Sequence, residues 1–180
     1  INIKVGSEKK IIPFYIYLQQ LITTIESNNV AKDQVKGIYN ESLSNTYEVI
    51  DEQKPPFVIG DISDANLSRD NFYFNNDNTK SFIHFYLTKS NYANTHIIEG
   101  GIIGFKLSSA HVESDKSCFI TNLKQYNLIS NKIFTFIYDS KNFNEETGKF
   151  HIGANMHVIV KNHFKEEFYI NDHAESYYSN

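Results

Sequence analysis

Tryptophan is absent from this 180-residue chain; cysteine and methionine occur once each, proline three times and glycine eight times. The lone cysteine, Cys118, excludes an internal disulfide, so the fold must be held by packing and hydrogen bonds. It does not assign a compartment, because secreted domains of this size often fold without a disulfide. Arginine is equally scarce: Arg69 stands against 16 lysines, with 21 asparagines and 23 isoleucines. That bias follows AT-rich codons, so the asparagine-rich stretches report base composition before function. No apolar run approaches the roughly 20 residues that a membrane helix needs. The longest, residues 11–18, contains Pro13 and stops at Gln19. A net charge of −4 and a pI near 6.0 argue against a general nucleic-acid binder, which carries a basic face.

What the chain has is aromatic mass, 14 Phe and 12 Tyr, far too much apolar material for a solvated tail. The length suits one compact domain, or one lobe of a larger protein. The opening at Ile1, with neither Met nor a charged-then-apolar leader, reads as a mature or trimmed product.

Short apolar runs between frequent turn residues predict an all-β fold. Strands are expected at 1–5, 11–18, 46–51, 57–62, 71–74, 81–87, 101–105, 133–138 and 149–152, with 6–9 as a hairpin turn. Residues 22–26 read as another extended segment and 27–36 as a polar loop. In 133–138, Phe134, Phe136 and Tyr138 alternate with Ile133 and Ile137, so both faces are apolar and a buried strand is expected. One segment departs from period two. Phe119, Ile120, Leu123 and Tyr126 recur at helical spacing, predicting one short helix near 117–127 with Ser114, Asp115 or Ser117 as its cap. No internal repeat and no linker divides the chain.

Isolated chemical signals are weak. His151, His157 and His163 are spaced six apart, but no Cys pair or His-Glu-x-x-His accompanies them, so they read as ordinary histidines and no metal is expected. Cys118 stands at the start of the expected helix, where a thiol pKa can fall, yet a plain buried thiol is the simpler reading. Gly100-Gly101-x-x-Gly104 lacks the Lys-Ser/Thr ending of a phosphate loop and reads as close backbone packing. Asn40-Glu41-Ser42 and Asn66-Leu67-Ser68 match the glycan acceptor pattern. Phe72-Tyr73-Phe74 reads as core, and residues 161–167 as a solvated surface of mixed charge. No cofactor is expected.

Several stretches, in order, resemble the amino-terminal lobe of pepsin-like aspartic proteases. Residues 1–6 followed by Phe14-Tyr15-Ile16-Tyr17-Leu18 are similar to the family's opening hairpin. Tyr39-Asn40-Glu41-Ser42-Leu43-Ser44-Asn45-Thr46-Tyr47 resembles "F-[ND]-P-x-x-S-S-T-Y". Asn66 to Phe72 resembles the strand after the flap, where an aliphatic residue and an Asp recur. Gly100 to Phe105 resembles "D-G-I-L-G-L-G". Residues 119–136 are similar to "F-x-N-L-x-x-Q-G-L-I-x-x-x-x-F-S-F", Lys149 to Gly153 to "G-x-L-x-F-G-G", and Glu175 to Tyr178 to "x-G-Y-W". The order and spacing of these stretches over nearly the whole chain carry the likeness.

The departures bear on activity. The family's "D-T-G" falls here at Gln19-Gln20-Leu21. Glutamine does not ionise, so it cannot deprotonate water, and Leu21 replaces the Gly that permits the tight catalytic loop. At the flap, Val58 stands for the family's Tyr, and Ile59-Gly60-Asp61 for "G-T-G". Asp33 and Asp61 are the nearest other acids, and either would substitute only in an altered fold. The resemblance therefore implies an all-β, pepsin-like amino-terminal lobe spanning 1–180 and catalytically inactive. Gln19, Gln20, Val58 and Gly60 would line a vestigial cleft, where the Gln amides would meet a peptide backbone. The lobe normally shares a central sheet with a second lobe. Tyr169, Tyr177 and Tyr178, near the chain's end, would lie on an unpaired edge and mark a partner interface. A second pepsin-like lobe or other protein subunits are thus the expected partners, in the secretory pathway or outside the cell. The alternative is an active aspartic endopeptidase completed by a second lobe.

Overall fold

The computed structural model describes residues 1–18, 20–28, 39–51, 65–74, 79–88, 100–105, 116–138 and 148–153. These residues form strands β1 (Asn2–Val5), β2 (Lys10–Tyr17), β3 (Thr24–Glu26), β4 (Glu48–Asp51), β5 (Ala65–Phe74), β6 (Thr79–Thr88), β7 (Gly101–Gly104), β8 (Phe134–Tyr138) and β9 (Gly148–Ile152). A 3₁₀ turn (Glu41–Leu43) and helix α1 (Phe119–Gln125) are the helical elements among them. The fold is all-β with one short helix, as the periodicity predicts. Among the described residues no helix is long and apolar enough to cross a membrane. The chain divides into two compact units, Ile1–Asn122 and Leu123–Asn180.

The first unit is built on one sheet with strand order β1-β2-β7-β3-β6-β5-β4. A further pairing of β1 with β5 closes the first six strands into a barrel and leaves β4 outside, on β5. Alternation sends Ile3, Val5, Ile12, Phe14, Ile25, Phe72, Ile83, Phe85, Leu87 and Ile103 into a buried core. Phe72 is central to it, with ring centroids 5.8 Å from Phe14, 5.9 Å from Phe85 and 6.3 Å from Phe119. Each such buried ring stabilises the fold by roughly 1.5–3 kcal/mol. Phe119 also meets Phe74 and Phe105, so the first turn of α1 belongs to this aromatic cluster.

One strand is longer than the sequence predicts. Residues 71–74 are the end of the ten-residue β5, whose first half, Ala65 to Asp70, is mostly polar and breaks the apolar alternation. Hydrogen bonding to neighbours on both edges, β4 and β6, outweighs that local composition. The strand expected at 57–62 lies outside the described residues, as does most of the loop at 27–36.

In the second unit, β8 and β9 form an antiparallel pair from Phe134↔Ile152 to Tyr138↔Gly148. The expectation of a fully buried strand fails at its start: Ile133 is exposed and Phe134 half-buried, because the described pairing is a two-stranded ribbon. The end of α1 is capped within its own chain. Asn127 takes a left-handed φ of 57°, its N–H bonds to Lys124 O, and Leu128 N–H reaches back to Leu123 O.

Candidate functional site

The loop joining β2 to β3 is the position that the sequence marks for chemistry. β7 lies between these two strands, parallel to β2 and antiparallel to β3. The chain therefore leaves β2 at Tyr17, turns through residues 18–23, and returns on the far side of β7. This insertion works only because β7 begins and ends with glycine. A Cβ on Gly101 would come within 2.4 Å of the Phe14 ring, and one on Gly104 within 2.3 Å of the Gln20 carbonyl oxygen. Phe105 N–H donates to Tyr17 O at 3.0 Å and fixes β7 to the start of the loop.

The loop is closed upon itself. Gln20, Leu21, Ile22 and Thr23 are all buried. Gln20 Nε2 donates to Ile22 O at 3.2 Å, within the loop. One N–H of this amide is thus engaged by the loop's own carbonyl. Thr23 is tied at both backbone groups, its N–H to Ser117 O and its C=O to Tyr86 N–H, while its hydroxyl is buried with no hydrogen-bond partner among the described residues. No residue from 18 to 25 carries an ionisable side chain. Glu26 is the next acid along the chain. It is buried at the far end of β3, about 10 Å from Thr23 at strand rise.

A carboxylate does lie in the barrel interior, elsewhere. Asp70 on β5 is fully buried and accepts from Tyr39 Oη at 2.6 Å, Thr46 Oγ1 at 2.5 Å and Asn71 N–H at 2.7 Å. Three donors, two from the segment before β4, make it a latch, with its oxygens committed to the fold. Ser7 and Ser44 extend the latch reciprocally: Ser7 N–H donates to Ser44 Oγ, and Asn45 N–H to Ser7 Oγ, both at 3.0 Å. Burial, with the Asp70 carboxylate beside it, pushes the Tyr39 hydroxyl far above the usual phenol range. Burial likewise raises Tyr47, offset in part by its hydrogen bond to Ser68.

The third polar arrangement lies at β6. Among the described residues β3 pairs with β6 from Tyr86 to Thr88 and stops short of His84. Asn122 on α1 bonds to His84 instead. Its Oδ1 accepts the His84 backbone N–H at 3.3 Å and lies 2.8 Å from His84 Nδ1. Its Nδ2 donates to Cys118 O at 2.8 Å and Lys116 O at 2.5 Å. Burial lowers the His84 pKa, with the Asn122 hydrogen bond opposing that shift. Of the candidate helix caps, Ser117 precedes Cys118 and is buried, with its carbonyl on Thr23; Ser114 and Asp115 lie outside the described residues.

Of the residues singled out from the sequence, Gln20 is therefore placed, in a closed loop. Gln19, Val58, Gly60, Tyr169, Tyr177 and Tyr178 lie outside the described residues, as do Asp33, Asp61, His157 and His163. His151 sits on β9 opposite Thr135, its Nε2 buried without a hydrogen-bond partner among the described residues. Asn122 and the Asp70–Tyr39 pair were not foreseen as a staple and a latch. The only available signal was that each falls in a stretch carrying the family likeness. No family model matches the chain, and no curated protein matches it.

Proposed function

We propose that this chain is a catalytically inactive pepsin-like amino-terminal lobe, serving as a protein-binding or structural subunit of a larger assembly in the secretory pathway or outside the cell. The observation that carries the reading is the loop at 18–23. It follows the strand after which the family likeness puts the catalytic acid, yet it has no ionisable group, and its residues 20–23 are buried with the Gln20 and Ile22 carbonyls against Gly104 of β7. General acid–base chemistry on water requires a group that gains and loses a proton in the working pH range, and a glutamine amide does not.

Two juxtapositions support the pepsin-like part. The stretches Phe14–Leu18 and Gly100–Phe105, which carry separate parts of the likeness, meet as the parallel pair β2–β7. Those at Tyr39–Tyr47 and Asn66–Phe72 meet at the Asp70 carboxylate. An inactive lobe retained as a fold is useful through what it binds, and the aromatic chain end at Tyr169, Tyr177 and Tyr178 is the surface we assign to the partner.

Native mass spectrometry of the material from its source tests the subunit reading. A complex that dissociates under denaturing conditions into this chain and a second lobe or other subunits is expected; a lone 20.8 kDa species contradicts it. In that complex, Tyr177→Ala with Tyr178→Ala weakens recovery of the partner, and unchanged recovery removes these residues from the interface.

A further inference from the structure

In the two glycan acceptor tripeptides, Asn40-Glu41-Ser42 and Asn66-Leu67-Ser68, both asparagines are half-buried, but their serines and backbone settings differ. The first lies at the 3₁₀ turn, outside every strand. Ser42 is exposed, and the next residue, Leu43, is 62% exposed, among the most exposed apolar side chains described. Asn40 Oδ1 accepts both the Ser42 hydroxyl at 2.7 Å and the Ser42 N–H at 3.1 Å. The half-buried acceptor side chain is thus already in contact with its exposed serine.

The second tripeptide lies inside β5. Leu67 pairs with Asp51 on one edge and Tyr86 on the other, and Leu67 itself is buried. Ser68 is fully buried, its hydroxyl 2.9 Å from Tyr47 Oη and 3.3 Å from Asn66 O. A transferase reaching this serine would have to strip β4 or β6 from the barrel.

We propose that Asn40 is a site of N-linked glycosylation in the folded protein and that Asn66 is not. The proposal rests on the secretory placement above, because the sugar donor is a polyprenyl-diphosphate-linked oligosaccharide of that route. In the transfer, Asn40 Nδ2 attacks the anomeric carbon of the donor. The new N–C bond forms as the bond from that carbon to the diphosphate oxygen breaks, polyprenyl diphosphate leaves with the bonding pair, and one Nδ2 proton passes to a base of the transferase. A glycan here stands on the turn and leaves the barrel strands paired.

The test supplies the route artificially, so that its outcome is separate from where the native protein resides. The full chain is secreted from a eukaryotic host behind a foreign signal sequence. The product is then mapped by peptide mass spectrometry before and after treatment with an amidase that converts a glycosylated Asn to Asp. One glycan is expected, at Asn40. It is lost in Asn40→Gln and in Ser42→Ala, kept in Ser42→Thr, and unaffected by Asn66→Gln. A folded, secreted product without sugar at Asn40, or with sugar at Asn66, overturns the proposal. Fractionation of the native source reports separately on the secretory reading.

Discussion

Gly104 lies against the turn that follows β2, with its Cβ position 2.3 Å from the Gln20 carbonyl oxygen and 2.6 Å from that of Ile22. Both contacts are to backbone, so neither neighbour can swing aside. The turn after β2 is thus a packing element for β7.

Gly104→Ala measures this directly. In a strand with room for a methyl group, the change would stabilise by about 0.4–1 kcal/mol through the unfolded chain. Here it forces β7 away from the loop and is expected to cost on the order of 3 kcal/mol. Urea denaturation followed by circular dichroism checks it. A midpoint equal to or above the parent's contradicts the packing described.

The Asp70 latch predicts an order of effects. Asp70→Ala takes an acceptor from the Tyr39 hydroxyl, the Asn71 N–H and the Thr46 hydroxyl, of which Thr46 keeps Ser44 Oγ at 3.2 Å, and is expected to destabilise by about 3 kcal/mol or more. Tyr39→Phe removes one donor while two remain, and should cost about 1–2 kcal/mol. Denaturation midpoints of the two variants give the comparison, and equal losses would mean that Asp70 does not gather these donors.

How much of this was legible in the sequence depends on the kind of interaction. The alternation at Ile12, Phe14 and Ile16, the turn at 6–9 and the helical spacing at 119–126 are local, and they predict the strands and the helix where they occur. The first half of β5 was hidden from the periodicity, and only the family likeness put a strand at 66–72, because Asn66, Ser68 and Asp70 make a strand look like a loop until their partners on β4, β6 and the 39–47 segment are known. Asn122 was hidden for the same reason: its partner His84 lies 38 residues away, on β6 outside the described pairing with β3. The missing acid at 18–23 needed no partner to be seen, since an absent ionisable group is a property of the sequence itself.

Stability should fall at both ends of the pH scale, with separate causes. His84 has a folded pKa below its ordinary 6.5, so the fold favours the neutral ring. Its contribution is present above that value and is lost as pH falls through the folded pKa. Tyr39 and Tyr47 have folded pKa values above their ordinary 10.0, so their contribution is present below that pH and declines above it. Thermal melts across pH, compared with a His84→Gln variant, test the acid limb. The variant's curve should be flatter below about pH 6.5, the ordinary His value, and an unchanged slope would exclude His84 as its source.

The central claim is that the loop between β2 and β3 cannot perform acid–base chemistry on water. The measurement that addresses it most directly is a peptidase assay across the acid range on an unfolded protein substrate, with and without a transition-state-mimic inhibitor of aspartic proteases. The purified protein is compared with its Gln19→Ala variant. No turnover above a protein-free control, in either form, is the predicted result. Turnover that the inhibitor abolishes and that survives Gln19→Ala would show that another acid serves the site, and would contradict the account.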